Sequence, residues 1–137
     1  MFWDRVAGVY DLFADVYNRK VNRELCEQVA SLMGMADEVL ECGCGTGMLS
    51  AAIAPRCAGL VATDFSERML VRACRKCAGV RNARFGKADI TDLSYANGSF
   101  DKVVAANVIH LLDDPASAVR ELARVCRPGG RSAALQG

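Results

Sequence analysis

No stretch of this 137-residue chain approaches the roughly 18 consecutive apolar residues of a membrane span. The N-terminus also lacks a secretory signal, because Asp4 and Arg5 fall where an unbroken apolar run is needed. Cytoplasmic residence is the simplest expectation. No run of Lys and Arg with interleaved aromatics occurs and the formal net charge is only +1, so the electrostatic footprint of a nucleic-acid binder is missing. Arg68, Arg72, Arg75 and Lys76 do gather in one stretch, but Glu67 adjoins them and their spacing suits the solvated face of a helix. Internal repeats and low-complexity segments are absent as well.

What is present has a globular balance: 52% apolar and 24% charged residues argue against a disordered, collagenous or coiled-coil chain. A length of this order buries roughly two thirds of its unfolded surface and suits one domain. Seven cysteines are an odd number without the regular framework of a small secreted domain. Most occupy apolar-looking positions, where a reduced thiol acts as a small hydrophobe, so a reducing compartment is expected. Cys74-Arg-Lys-Cys77 has the spacing of half a zinc site, but no second pair or nearby His completes it, and no metal is expected.

Along the chain, Val6, Val9, Tyr10, Phe13, Val16 and Tyr17 recur at three- and four-residue steps, which predicts a helix with one buried stripe. Val21, Leu25, Val29, Leu32 and Met33 predict a second helix, with Gly34 placed for a left-handed C-terminal cap. The period then changes. Residues 37–42 (DEVLEC), 60–64 (LVATD), 84–89 (RFGKAD) and 100–107 (FDKVVAAN) read as short buried strands. Residues 48–54, 66–78 and 115–127 read as helices, the last opened by Asp114-Pro115, in which Asp caps free amides and Pro has none to waste. This alternation predicts an α/β fold, a Rossmann-like parallel sheet with helices on both faces. Residues 127–130 (RPGG) look like the turn into a fifth strand, although residues 131–137 are poor in β-branched side chains and the chain looks cut short.

Glu41-x-Gly43-x-Gly45-x-Gly47 follows the first strand and leads into a helix, the setting a cofactor loop requires. A dinucleotide fingerprint needs a glycine where Met48 stands, and a P-loop needs a Gly-Lys-Ser/Thr that is absent. Glu41 would repel a diphosphate and favour an ammonium group. About 20 residues on, Asp64 ends the second strand, where a carboxylate can accept hydrogen bonds from ribose hydroxyls. A glycine loop paired with an acidic strand end points to a nucleoside.

With these residues the chain resembles the class I S-adenosylmethionine-dependent methyltransferases, and among them the small-molecule branch of ubiquinone/menaquinone-biosynthesis type. The likeness is carried by residues 6–11 (VAGVYD), 39–47 (VLECGCGTG), 63–70 (TDFSERML), 88–90 (ADI) with Phe100-Asp101, and 127–130. It implies S-adenosylmethionine as cofactor, S-adenosylhomocysteine as product, and in-line methyl transfer to a small-molecule acceptor. It further implies one domain over 1–137, with residues 1–35 as a helical cap on a core of 36–137. The family sheet has seven strands, so its C-terminal strands would be missing here. A cofactor-binding module without turnover is therefore the second reading, and a nicotinamide-dependent oxidoreductase the third. An exposed sheet edge would leave homodimerisation open.

Residue by residue, the resemblance sets Glu41 at the methionine end of the cofactor and the backbone of Gly43, Cys44 and Gly45 along it. Asp64 would hold the ribose, Phe65 and Met69 would flank the adenine, Asp89 would accept from its amino group, and Ile90 would pack on the ring. Asn107 would face the methionine part or the acceptor, and Tyr10 and Tyr17 would close the pocket. His110, the only histidine, is a candidate base, although the apolar run around it also suits a buried neutral imidazole. Plainer roles compete throughout: Asp64 as cap of the helix near Ser66, Asp89 as a strand-end turn residue, Asn107 as a strand terminator, the tyrosines as core, the glycines as a simple turn.

Overall fold

The computed structural model describes residues 23–106 and 112–135. The order is α1 (Arg23–Ala30), β1 (Glu38–Cys42), α2 (Met48–Ile53) with a 3-10 turn (Ala54–Arg56), β2 (Gly59–Asp64), α3 (Glu67–Lys76), β3 (Ala83–Lys87), β4 (Phe100–Ala106), α4 (Pro115–Val125) and β5 (Cys126–Leu135). The helix expected over 6–17 lies outside the described residues. Ser66 caps α3 by accepting from Met69 N–H, and Asp114 caps α4 by accepting from Ser117 N–H with Pro115 in the first turn. Gly34 differs from expectation: it is not among the glycines of positive φ. α1 closes instead with tight i→i−3 bonds from Leu32 and Met33, and Gly34 N–H donates to Asp37 Oδ2 at 2.7 Å.

All five strands are parallel, in the order β3-β2-β1-β4-β5. β1, β2 and β4 are mostly apolar in their central residues, and successive side chains go to opposite faces. Leu40, Cys42, Val103 and Ala105 pack with Val119 and Leu122 of α4, whereas Val39, Ala62 and Val104 pack with α1 and α2. Helices cover both faces, as a parallel sheet requires. By the same alternation Glu41 belongs with Val39 on the α1/α2 side.

β5 shows how pairing overrides propensity. Cys126 pairs Phe100, but the next partners are Arg131 and Lys102, so residues 127–130 form the irregularity that the RPGG turn supplies. Register then holds to Leu135 against Ala106, despite the lack of β-branched residues. Beside it, Arg124 pairs with Glu121 and donates to the carbonyls of Leu93 and Tyr95, tying α4 to the segment that follows β3.

Gly47 precedes α2 at φ 92°, and a Cβ placed on it would lie 3.0 Å from Ala73 Cα of α3. At Gly45 (φ 55°) no atom lies within 4 Å of such a Cβ. Gly47→Ala should therefore destabilise by roughly 2–4 kcal/mol, combining backbone strain with overpacking, and Gly45→Ala by only about 1 kcal/mol. Urea unfolding measures both; equal losses would contradict the close packing of α3 on the loop.

Candidate functional site

Parallel pairing of β1 with β2, Cys42 opposite Thr63, brings the carboxyl ends of the two strands together. The loop after β1 therefore starts beside Asp64, where two of its own amides fasten it and a third amide, from Ser66, holds Asp64. Cys44 N–H donates to Thr63 O at 2.9 Å, Gly45 N–H to Asp64 Oδ2 at 2.8 Å, and Ser66 N–H to Asp64 Oδ1 at 2.9 Å. Gly43, Gly45 and Gly47 all take positive φ, which lets the loop turn its amides inward. Asp64 is not the α3 cap, a role Ser66 fills, and each of its oxygens keeps a further lone pair. The chain leaves β1 for β2 and β3 on one side and returns to β4 on the other, the switch point at which open α/β sheets place ligands.

A pocket of about 180 Å³ opens at this end of the sheet. Gly43, Phe65, Asp89 and Ile90, all singled out in the sequence, line it. Cys42, Thr63, Ala88 and Leu112 line it too and were missed. The sheet alternation could have flagged Cys42, whereas Leu112 arrives from a segment with no strand or helix period of its own. Phe65 is 70% exposed, and Lys87 Nζ lies 5.5 Å from its ring centroid. Glu41, Gly45, Asp64 and Met69 are not among the lining residues, and Cys44 is buried in the core beneath the helices. Asp89 Oδ1 accepts from both N–H and Oγ1 of Thr91, and this turn holds its carboxyl below the usual range. Asn107, His110, Tyr10 and Tyr17 lie outside the described residues.

Glu41 is 1% exposed, on the α2 side of the sheet. Ser50 Oγ donates to Glu41 Oε1 at 2.5 Å, and Oε2 has no partner among the described residues. Burial, reinforced by the nearby Asp64 and opposed by the Ser50 hydrogen bond, pushes this carboxyl up to about 7. The thiols flanking Gly43 are also raised by burial, Cys42 to about 12, so neither is a ready thiolate. Cys74 is exposed and Cys77 buried, and no disulfide joins them.

Comparison with known proteins bears on what the arrangement can do. A family profile described as a methyltransferase domain matches residues 40–134. The demethylmenaquinone methyltransferase of Clavibacter sepedonicus is 35% identical over 136 residues, covering 93% of this chain and 56% of that protein. The ubiquinone/menaquinone biosynthesis C-methyltransferase UbiE of Bdellovibrio bacteriovorus is 32% identical, covering 98% of this chain and 59% of its own length. The chain thus spans somewhat over half the length of these relatives. Among solved structures, the YcgJ protein of Bacillus subtilis superposes with a TM-score of 0.77 at 26% identity, over 81% of this chain and 49% of that one. The N-methyltransferase NodS of Bradyrhizobium japonicum WM9, in complex with S-adenosyl-L-homocysteine, gives 0.73 at 29% identity, over 80% and 59%.

The Glu41 burial has a measurable consequence. The folded chain holds this proton more tightly than the unfolded chain, whose ordinary carboxyl value is 4.5, so stability from this group is intact below that pH and falls as pH rises toward about 7. Glu41→Gln should therefore be more stable than wild type at about pH 8, by up to about 3 kcal/mol, with the advantage vanishing below about pH 5. Denaturant unfolding across that range checks this, and a pH-independent difference would contradict it.

Proposed function

The chain belongs to the methyltransferase-domain family, and on that premise we propose that it binds S-adenosylmethionine at the carboxyl ends of β1–β3 and transfers the methyl group to a small-molecule acceptor. The observation that carries the reading is the fastening of Gly45 to Asp64, which holds the glycine loop to an acidic strand end beside the pocket residues Gly43, Thr63 and Phe65. The site's chemistry suits that cofactor. Its ribose hydroxyls, purine amino group and ammonium group are donors, and the loop surroundings offer acceptors at Asp64, Asp89 and Glu41 Oε2. The space over Gly45 is open to a ligand, and Phe65 and Ile90 give the pocket apolar walls. The two curated relatives are named for methylation in menaquinone or ubiquinone biosynthesis, which supports a quinone-type small molecule as acceptor.

When bound, S-adenosylmethionine supplies a methyl group activated by a positively charged sulfur. The residues of this chain then have mainly to align it. Asp64 orients the ribose, Asp89 and Ile90 fix the base, and Glu41 balances the positive charge of the methionine end. Holding two reactants in near-attack geometry contributes roughly 7–11 kcal/mol in the best intramolecular cases, so an already nucleophilic acceptor needs no base. For an acceptor that must lose a proton, His110 is the candidate within this reading. α1 packs Leu25, Cys26 and Val29 into the core against α2.

A second reading is cofactor binding without turnover, which a methyl-transfer assay beside a binding assay separates. Calorimetric titration with S-adenosylmethionine, S-adenosylhomocysteine and NAD should show binding of the first two, and a preference for NAD would sink the reading. Asp64→Ala should weaken binding more than tenfold, about 1.4 kcal/mol. Unchanged affinity in a folded variant would remove Asp64 from the site.

A further inference from the structure

Behind the glycine loop lies a buried polar pair whose second member no role yet explains. Ser50 of α2 is fully buried, and its hydroxyl donates to Glu41 Oε1 at 2.5 Å. The other carboxyl oxygen, Oε2, is buried without a partner among the described residues. Among the described residues, the titratable groups coupled to Glu41 are Cys26 of α1, Cys42 of β1, Cys44 of the loop, Asp64 of β2 and Cys77 of α3. Every one is a thiol or an acid. Buried away from water and with no counter-charge among the described residues, such a carboxyl favours the protonated form. With Oε1 accepting from Ser50, the proton belongs on Oε2.

We propose that Ser50 is a positioning residue for cofactor binding: by holding Oε1 it keeps Oε2 as the proton-bearing oxygen of Glu41, and that proton passes to solvent when the cofactor's ammonium group docks. The proposal rests on the cofactor reading above. The docked cation supplies the missing counter-charge and an N–H donor for Oε2, so the carboxylate becomes the favoured form in the complex. No other bond is made or broken. The Ser50 hydrogen bond itself favours the ionised carboxyl, so it sets the pH at which the exchange occurs.

The test is calorimetric titration of the full chain with S-adenosylhomocysteine, which carries the same ammonium group, from about pH 6 to about 8.5 in two buffers of different ionisation enthalpy. Close to one proton should be released per ligand at about pH 6 and none at about pH 8.5, with affinity rising roughly tenfold between about pH 6 and 8. Glu41→Gln should flatten the profile. Ser50→Ala should move the rise to higher pH, and Ser50→Thr should restore it. Binding without proton release, or a Ser50→Ala profile superimposed on wild type, overturns the proposal and leaves the cofactor reading standing. Absence of binding at every pH overturns both. The wild-type proton count needs neither variant to fold.

Discussion

One hydrogen bond, from Gly45 N–H to Asp64 Oδ2 at 2.8 Å, joins the glycine loop to the end of β2. Without it the loop after β1 would be held to β2 by the Cys44 amide alone, and the acidic side chain by the Ser66 amide alone. With it, a charged acceptor points a backbone amide, and the same carboxylate retains lone pairs for a ligand. The loop's far end is fixed by a different force. Gly47 lies so close to Ala73 that no side chain fits between α2 and α3, and Cys77 Sγ reaches to 3.8 Å of the Gly47 carbonyl. Electrostatics at one end and packing at the other leave the loop little freedom, which is what a preorganised binding site needs.

Two carboxyl groups flank this loop in unlike surroundings. Asp64 is only partly buried and each oxygen takes a backbone N–H, whereas Glu41 is sealed beneath α2 with one hydroxyl for company. Environments that treat neighbouring acids so differently separate their roles. Asp64 is a fixed acceptor for the Gly45 and Ser66 amides, whereas Glu41 is a buried carboxyl with only Ser50 bonded to it among the described residues. An acid buried at a loss of stability is tolerable where binding recovers it.

Much of this was legible in the sequence because it depends on local pattern. Glycine spacing after a short apolar run predicted the loop, and Ser66 and Asp114-Pro115 marked helix starts through side chains acting within three residues. The register partner of the loop, Asp64, followed from the length of one βαβ unit. What escaped depends on distant chain. Cys42, Thr63 and Leu112 reach the pocket only because three separate segments converge, and the Glu41–Ser50 contact follows from which sheet face α2 covers. Gly34 misled because glycine after a helical stripe usually means a left-handed cap, whereas here the carboxylate of Asp37 takes its amide. β5 misled in the opposite direction: its small residues carry little propensity, and the β4 edge supplies the order.

The central claim is that the glycine loop and Asp64 grip one nucleoside between them. A crystal structure of the chain with S-adenosylhomocysteine tests this most directly. The account predicts ribose hydroxyls within about 3 Å of the Asp64 carboxylate, with the loop amides alongside the ligand. A nucleoside lodged elsewhere on the molecule, or ribose oxygens held by other side chains while Asp64 binds only Gly45 and Ser66, would contradict it.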